Sequence, residues 1–436
     1  MDVASLSSFR ILQRSLAIVA LVVGQGLRWL VGHLVLLVAF AGQARRQAWF
    51  GQCLLDLFRH LGATFIKVGQ IMSTRPDLVP EHITHALAHL QDDVGPFSYD
   101  AVARTIAEDL GRPIERIFSE FSVRPIASAS VAQVHKARLP DGRVVAVKVR
   151  RPDVVEICAF DLAVMRKVAR LLAKIPSLAA VSPESSIEQF GRAIHAQLDF
   201  RIEARNNRRF RENFHNEPEV VFPEVLGELS SERILCMSHI EGTKILDTPK
   251  GRGDGKRIAR LGLRALLKMI FEDGFVHADL HPGNIFVLPD QRIAMVDLGL
   301  VGELDPPHRA SFLRFFAAWA NRDADTMAHL LYALALNPSE GGTAFEDFRV
   351  ALGDLVQRTS VHRMAEVHPG KVLLDMLGLL RRHRVRMAPA FTIVNIAIAV
   401  TEGIGRQLDP ELDIMAEALP FFVTHPALLQ PSATAG

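Results

Sequence analysis

The most apolar stretch of the chain lies near its start. Residues 16–23 and 34–41 are wholly apolar, and Gln25, Arg28 and His33 sit between them. A bilayer is crossed by about 20 such residues, so the run is long enough. Arg28 near its middle makes a straight span costly, by a few kcal/mol. Arg10 and Arg14 precede the run and Arg45 and Arg46 follow it, so basic residues flank both ends and leave the orientation open. Ala39-Phe40-Ala41 resembles a signal-peptidase site, but the apolar region before it is too long and is broken by Arg28. Three readings stand: a helix lying on a membrane, a helical hairpin or span, and a buried helix. Leu61, Phe65, Val68 and Met72 then recur at helical spacing, and the same helix would bring Lys67 and Gln70, three apart, onto another face.

From residue 114 the pattern turns β-like. Residues 131–139 and 144–150 read as strands joined by a turn at 140–143. Residues 152–175 and 183–214 read as mostly helical. Residues 233–240 read as a strand leading to Glu241 and Gly242, and 250–256, with three glycines, as a loop. Two short apolar runs, 285–288 and 293–296, flank a polar turn that begins at Pro289 and predict a hairpin. After Gly302, Asp305-Pro306-Pro307 leads at once into an apolar helix around 312–319. The whole predicts an α+β fold.

Bulk properties narrow the class. A chain of 436 residues suits two or three domains. Apolar residues at 49% and charged residues at 22% describe a globular protein rather than a disordered one. The net charge of +2 gives no field that points to nucleic acid. Cys53, Cys158 and Cys236 are far apart with no CxxC, which argues against a disulfide framework or zinc site and for three small buried apolar residues in a reducing compartment.

The candidate chemistry centres on residues 274–302, GFVHADLHPGNIFVLPDQRIAMVDLGLVG. A His-x-Asp ends at Asp279, Asn284 follows five residues later, and Asp297 opens an Asp-Leu-Gly thirteen residues after that. This is the order of a phosphotransfer loop. Asp279 supplies a carboxylate near the incoming nucleophile. Asn284 and Asp297 supply hard oxygens for magnesium, which binds few protein groups and keeps waters and phosphates. Gly299 would let the chain turn sharply after the metal ligand.

Lys148, in Val145-Ala146-Val147-Lys148, fits the strand lysine that meets the phosphates of ATP. Where a kinase carries GxGxxG, this chain has Ala127, Ser128, Ala129 and Ser130 and no glycine. That implies a stiffer lid, with serine hydroxyls available to phosphate. Glu156, Glu184, Glu188 and Glu203 all qualify by type as the helix partner of Lys148, and spacing does not choose among them. Met237 would lie near the adenine, and the backbone of 238–240, ending at Ile240, could hydrogen-bond to it. No Ala-Pro-Glu follows the Asp-Leu-Gly, so a peptide-docking platform is unsupported.

Taken together, LGATFIKVGQIMSTRPDLVP, IASASVAQVHKA, VAVKVRRP, QLDFRIEARN, HADLHPGNIFV, VDLGLVGELD and TEGIGRQLDPELD, in this order, resemble the UbiB/AarF/ADCK family of atypical, protein-kinase-like proteins over roughly residues 55 to 415. The resemblance implies a bilobal protein-kinase-like fold with a helical N-terminal extension. It divides the chain into an apolar segment (1–45), a KxGQ extension (46–113), an N-lobe (114–242) and a helical C-lobe (243–436). It assigns Lys67 and Gln70 to the KxGQ pair over the nucleotide pocket, and Glu203 as the partner of Lys148. ATP and Mg2+ are the implied cofactors. A membrane lipid or prenyl-quinone intermediate, together with quinone-biosynthesis proteins, are the implied partners. The implied location is the cytoplasmic face of a membrane, peripheral or N-terminally anchored.

There are three departures from the family pattern. Its ExD motif is here Gln197-x-Asp199, which would weaken the ion pair of Lys67. Leu298 replaces the Phe of DFG and should still fill an apolar slot. Residues 419–423 are too short for the C-terminal span some members carry. The competing functions are a small-molecule kinase of the aminoglycoside-phosphotransferase type and a non-catalytic, nucleotide-gated lipid-binding protein.

Overall fold

Every residue of the central strand 144–150 is apolar, lysine or arginine, and the computed structural model shows why. It describes residues 8–73, 79–90, 95–174, 183–248, 254–336, 343–360, 369–385, 387–414 and 416–418. The fold is α+β, and the chain forms two compact units, Met1–Ala204 with Val225–His239, and Arg205–Glu224 with Ile240–Gly436.

The first unit opens with α1 (Ser8–Val38), α2 (Gln43–Leu61), α3 (Ala63–Ser73), α4 (Glu81–Leu87), α5 (Tyr99–Leu110) and the single turn α6 (Ile114–Ile117). An antiparallel sheet follows: β1 (Glu120–Phe121), β2 (Ala127–Ser128), β3 (Ala132–Arg138) and β4 (Val144–Arg150), then α7 (Val154–Leu172), α8 (Pro183–Leu198) and α9 (Phe200–Asn213), whose residues 205–213 belong to the second unit. The last sheet strand, β6 (Ile234–Ser238), lies beside β4 in the order β1-β3-β4-β6, with β2 on β3. Period two on β4 sends its side chains two ways. Val145, Val147 and Val149 join the core built on α5 and α6, with Ile106, Ile117 and Phe118. Ala146 joins the core under α3, α7 and α8, with Phe65, Cys158 and Ile194. Both faces are covered, so the strand is apolar throughout and its one lysine is buried.

The second unit holds β5 (Val220–Val221), β7 (Thr243–Lys244), α10 (Asp254–Leu267), β8 (Phe275–His277), β9 (Ile285–Val287), β10 (Ile293–Met295) and β11 (Val301–Glu303). The helices α11 (Pro306–Ala320), α12 (Ala324–Ala333), α13 (Thr343–Ser360), α14 (Pro369–Arg382) and α15 (Pro389–Leu408) complete it. Strand order is β5-β10-β9-β7, and β8 pairs with β11. Its core gathers Phe210, Phe271, Phe275, Phe312, Phe348 and Phe391.

Several local expectations need correcting. The helix predicted over 61–72 is two helices: Gly62, at φ +89°, ends α2, so Leu61 belongs to α2, while Phe65, Val68 and Met72 belong to α3. A one-turn helix precedes the first strand where a β-like pattern began at 114. The helical stretch 183–214 breaks at Asp199, whose Oδ1 accepts the Arg201 N–H at 3.0 Å. Asp254 already begins α10, inside the predicted loop. The apolar run is one helix, α1, and most of its large side chains are exposed. That removes the buried-helix reading and a hairpin within the run. Residues 419–423 lie outside the described residues.

Candidate functional site

In the first unit, Lys148 Nζ lies 2.9 and 3.2 Å from the two carboxylate oxygens of Glu203, and both residues are buried. The ring of Phe200, one turn before Glu203, sits 5.4 Å from the ammonium. Sequence spacing left four glutamates open; in the structure, Glu203 is the one that pairs. The reason is that α9 starts afresh after the break at Asp199, which brings its first turn to β4.

Lys67 is buried on α3. Gln70, on the same helix, donates from Nε2 to the Leu90 carbonyl at 3.2 Å. The glycine between them is there for packing: a Cβ on Gly69 would collide with Leu90 Cδ1 and lie 2.6 Å from Phe58 Cδ2. Gln197, where the family has glutamate, keeps a buried Oε1 with no hydrogen-bond partner among the described residues. Asp199 is engaged by the Arg201 guanidinium at 2.9 Å. Met237 is buried on β6 opposite Ala146, and Ile240, partly exposed, opens the second unit's last stretch.

The glycine-free loop is held from behind. Ala127 and Ser128 pair with β3 as β2, and the Ala129 N–H donates to the Ala132 carbonyl at 2.7 Å. One nitrogen of Arg151, Nη2, donates to Ser128 Oγ (3.3 Å), the Ala129 carbonyl (3.1 Å) and the Gly95 carbonyl (2.9 Å). Its guanidinium stacks over Phe97 at 5.2 Å. Gln133 accepts the Phe97 N–H at 3.0 Å and donates to His135 Nε2 at 2.9 Å. His135 then donates from Nδ1 to the Ser122 carbonyl at 2.7 Å, and burial holds its pKa below the ordinary value, so the ring is neutral. Ser130 is fully buried, and its hydroxyl has no partner among the described residues.

In the second unit, local backbone does the holding. β9 and β10 pair Ile285 with Met295, and the next rung runs from the Val296 N–H to the Asn284 carbonyl at 3.0 Å. Asn284 and Asp297 therefore meet at one end of the hairpin. Asn284 is 6% exposed and spends its Nδ2 on the Asp279 carbonyl at 3.1 Å, so the amide oxygen is the atom left to accept. His277 is fully buried. Its Nδ1 accepts the Asp279 N–H at 3.2 Å and its Nε2 donates to the Val296 carbonyl at 3.1 Å. Burial pushes its pKa down, which matches that neutral tautomer.

Val296 is thus fixed through both its N–H and its carbonyl, and Asp297 takes φ +60°. Here a sequence expectation fails. The sharp turn was assigned to Gly299, but the left-handed residue is Asp297 itself; among the described residues the positive-φ glycines are 62, 111, 142 and 274. Aspartate tolerates this region better than most residues. Leu298 is 1% exposed and fills its slot, and its carbonyl accepts Asn206 Nδ2 at 2.8 Å.

Two hard oxygens, one amide and one carboxylate, suit magnesium. No group of three His, Cys, Asp or Glu side chains that could hold a metal exists among the described residues, so a zinc-type ligand set is absent there. The ABC1 atypical kinase-like domain matches residues 89–331, and the UbiB helical domain matches 352–413. The chain belongs to the UbiB family of atypical kinase-like proteins. It is 35% identical over 384 residues to the probable protein kinase UbiB of Aliivibrio fischeri, covering 86% of this chain and 70% of that one. It is 36% identical over 373 residues to the Vibrio cholerae protein of the same name, covering 83% and 68%. A solved Mycobacterium tuberculosis protein, in complex with erythromycin, shares the fold at TM-score 0.55 and 24% identity, over 83% of this chain and 92% of that one.

In this UbiB-family chain, Arg151, Gln133 and His135 in the first unit and His277 and Asn206 in the second are residues that sequence reasoning assigned no role. The His of His-x-Asp was visible in the motif. Arg151 carried no signal, because its partners lie 22 to 56 positions away.

Proposed function

We propose that the protein is an ATP- and magnesium-dependent phosphotransferase or ATPase that supports ubiquinone or related prenyl-quinone synthesis at a membrane. The observation that carries this reading is the locked hairpin: its end rung, from the Val296 N–H to the Asn284 carbonyl, brings the backbone at Asn284 and Asp297 together, and Asn284 Nδ2 ties that end to the Asp279 carbonyl. When bound, magnesium would neutralise phosphate charge at these oxygens. Lys148, held by Glu203, binds phosphate oxygens as a point charge. Asp279 orients the attacking hydroxyl or water and takes its proton; among the described residues no hydrogen bond occupies its carboxylate. Membership of the UbiB family supports the quinone connection, and α1 supports the membrane. The sequence after Asp-Leu-Gly offers no peptide platform, so water or a small or lipid substrate is favoured over protein as acceptor.

The test is ATP turnover by purified protein, with and without liposomes. Asp297→Asn should reduce turnover to background; unchanged turnover would rule the mechanism out. Nucleotide binding with no turnover in either condition would point instead to a nucleotide-gated lipid binder.

A further inference from the structure

Helix α1 has two unlike faces. Arg14, Ile18, Leu21, Gln25 and Arg28 recur at steps of four, three, four and three, which puts them on one side. That side is fastened to the body of the first unit. Arg14 grips Asp161 of α7 with two bonds, Nε–Oδ1 3.0 Å and Nη2–Oδ2 2.8 Å, and donates to the Leu61 carbonyl at 2.6 Å. Arg28 reaches Asp56 of α2 at 2.7 Å and lies over the Trp49 ring at 5.2 Å. Helix α2 runs so close that a Cβ on Gly32 would clash with Trp49. The opposite side is aliphatic and open along its whole length, from Leu16 through Val23, Leu27 and Leu34 to Val38, and Phe40 at the turn into α2 is 95% exposed.

We infer that α1 lies flat on an anionic bilayer surface, apolar face down, and does not cross the bilayer. This rests on the membrane reading proposed above and specifies its geometry. If α1 crossed with its two ion pairs intact, Asp56 and the body of the unit would be drawn to mid-bilayer depth alongside Arg28. If it crossed by leaving the body, Asp161, whose side chain is 0% exposed, would lose its cation. Lying flat keeps both pairs and still covers the apolar side.

Charge selects lipid over a second copy of the chain. Between Asp2 and Asp56 there is no acidic residue, and although Arg14 and Arg28 are spent on Asp161 and Asp56, Arg10, Arg45 and Arg46 add positive charge there. Arg45 is exposed close behind Phe40, at the turn that would meet the headgroups.

Depth measurements decide the matter. Full-length protein carrying Val19→Cys, Leu27→Cys or Leu34→Cys, each at an exposed position, is labelled with a fluorophore and bound to vesicles of phosphatidylcholine and phosphatidylglycerol that contain spin-labelled lipids. The native thiols do not compete: all three are buried, with Cys158 pushed up to about 11 and Cys236 to about 12. A flat helix gives one shallow depth for all three labels, about 5–10 Å into the headgroup boundary. Binding to pure phosphatidylcholine should be at least about tenfold weaker.

A deep Leu27 label between two shallow ones would overturn the inference. So would failure to bind vesicles together with self-association that rises with protein concentration. ATP turnover measured on the same samples in detergent keeps the two readings apart. Lost vesicle binding with turnover intact sinks the flat helix alone, and vesicle-bound protein without turnover sinks the catalytic reading alone.

Discussion

The glycine-free loop of the first unit and the metal-type hairpin of the second are held in opposite ways. The loop is a short stretch of alanine and serine kept in place by side chains from elsewhere: Arg151 beyond β4, Gln133 and His135 on β3, and the backbone at Gly95 and Phe97. The hairpin keeps itself in place, since Asp279, Asn284, Val296 and His277 bond one another within twenty residues. A loop held from a distance can be tuned or released by changes far from it. A hairpin held mainly by its own bonds answers less to distant changes, its ties to the rest being the β5 pairing and the Asn206 bond at Leu298.

The largest effect tests the first unit's other long-range tie. Lys148→Met removes the ammonium 2.9 Å from the buried Glu203 carboxylate and should cost about 3–5 kcal/mol in denaturant unfolding. Adding Glu203→Leu should recover most of that stability while turnover stays lost, because an apolar pair of similar volume replaces the ion pair. If the double variant is no more stable than the single one, the cost is not one of unpaired charge.

Next comes the loop's clamp. Arg151→Ala should cost about 1–3 kcal/mol and speed hydrogen exchange across residues 126–131, with little change across 277–297. Arg151→Lys should not restore protection, since an ammonium cannot fork to the same acceptors while stacking on Phe97. Equal exchange in both regions would erase the contrast drawn between them.

The hairpin makes the opposite prediction. Asp297→Gly should relieve left-handed backbone strain of about 1 kcal/mol, so thermal stability holds or rises while turnover disappears. A clear loss of stability would show that the aspartate side chain, rather than the backbone locked around it, sets the conformation there.

The same contrast explains what could be read from the chain. Asp279, Asn284 and Asp297 were legible because their geometry is local: spacing along a hairpin with period two carries it almost completely. Lys148 was legible for a related reason, since a strand apolar on both sides makes its one lysine conspicuous. Its partner was not, because the choice of Glu203 over Glu156, Glu184 or Glu188 depends on a helix break at Asp199 that periodicity does not show. The left-handed conformation of Asp297 also escaped. Gly299, two residues on, looked like the natural place for a turn, but two hydrogen bonds on Val296 push the strain two residues earlier, onto the candidate metal-binding aspartate. The two faces of α1 were in the sequence all along. What could not be read was which carboxylates would neutralise Arg14 and Arg28, because Asp161 lies 147 positions from Arg14.

The gentlest probe of the contrast is pH, through His135. Burial lowers its pKa from the ordinary 6.5, while the Ser122 carbonyl bond works weakly the other way. The folded protein therefore binds fewer protons at this site than the unfolded chain does. Stability from the neutral ring is fully present above pH 6.5 and declines as pH falls below it toward the depressed folded value. Protonation would also put a proton on Nε2, which now accepts from Gln133, and so break the chain of bonds that ends at Phe97 behind the loop. Acidification from pH 7 to 5.5 should thus loosen residues 126–131 in hydrogen exchange. His135→Gln should lower the starting protection and flatten this pH response. His277 is neutral for the same reason of burial, so mild acid presses on the second unit too, but its hairpin ladder of backbone bonds does not pass through the ring and should open less. If the hairpin loosens first on acidification, the difference between a loop held from outside and a hairpin held from within is not what governs the site.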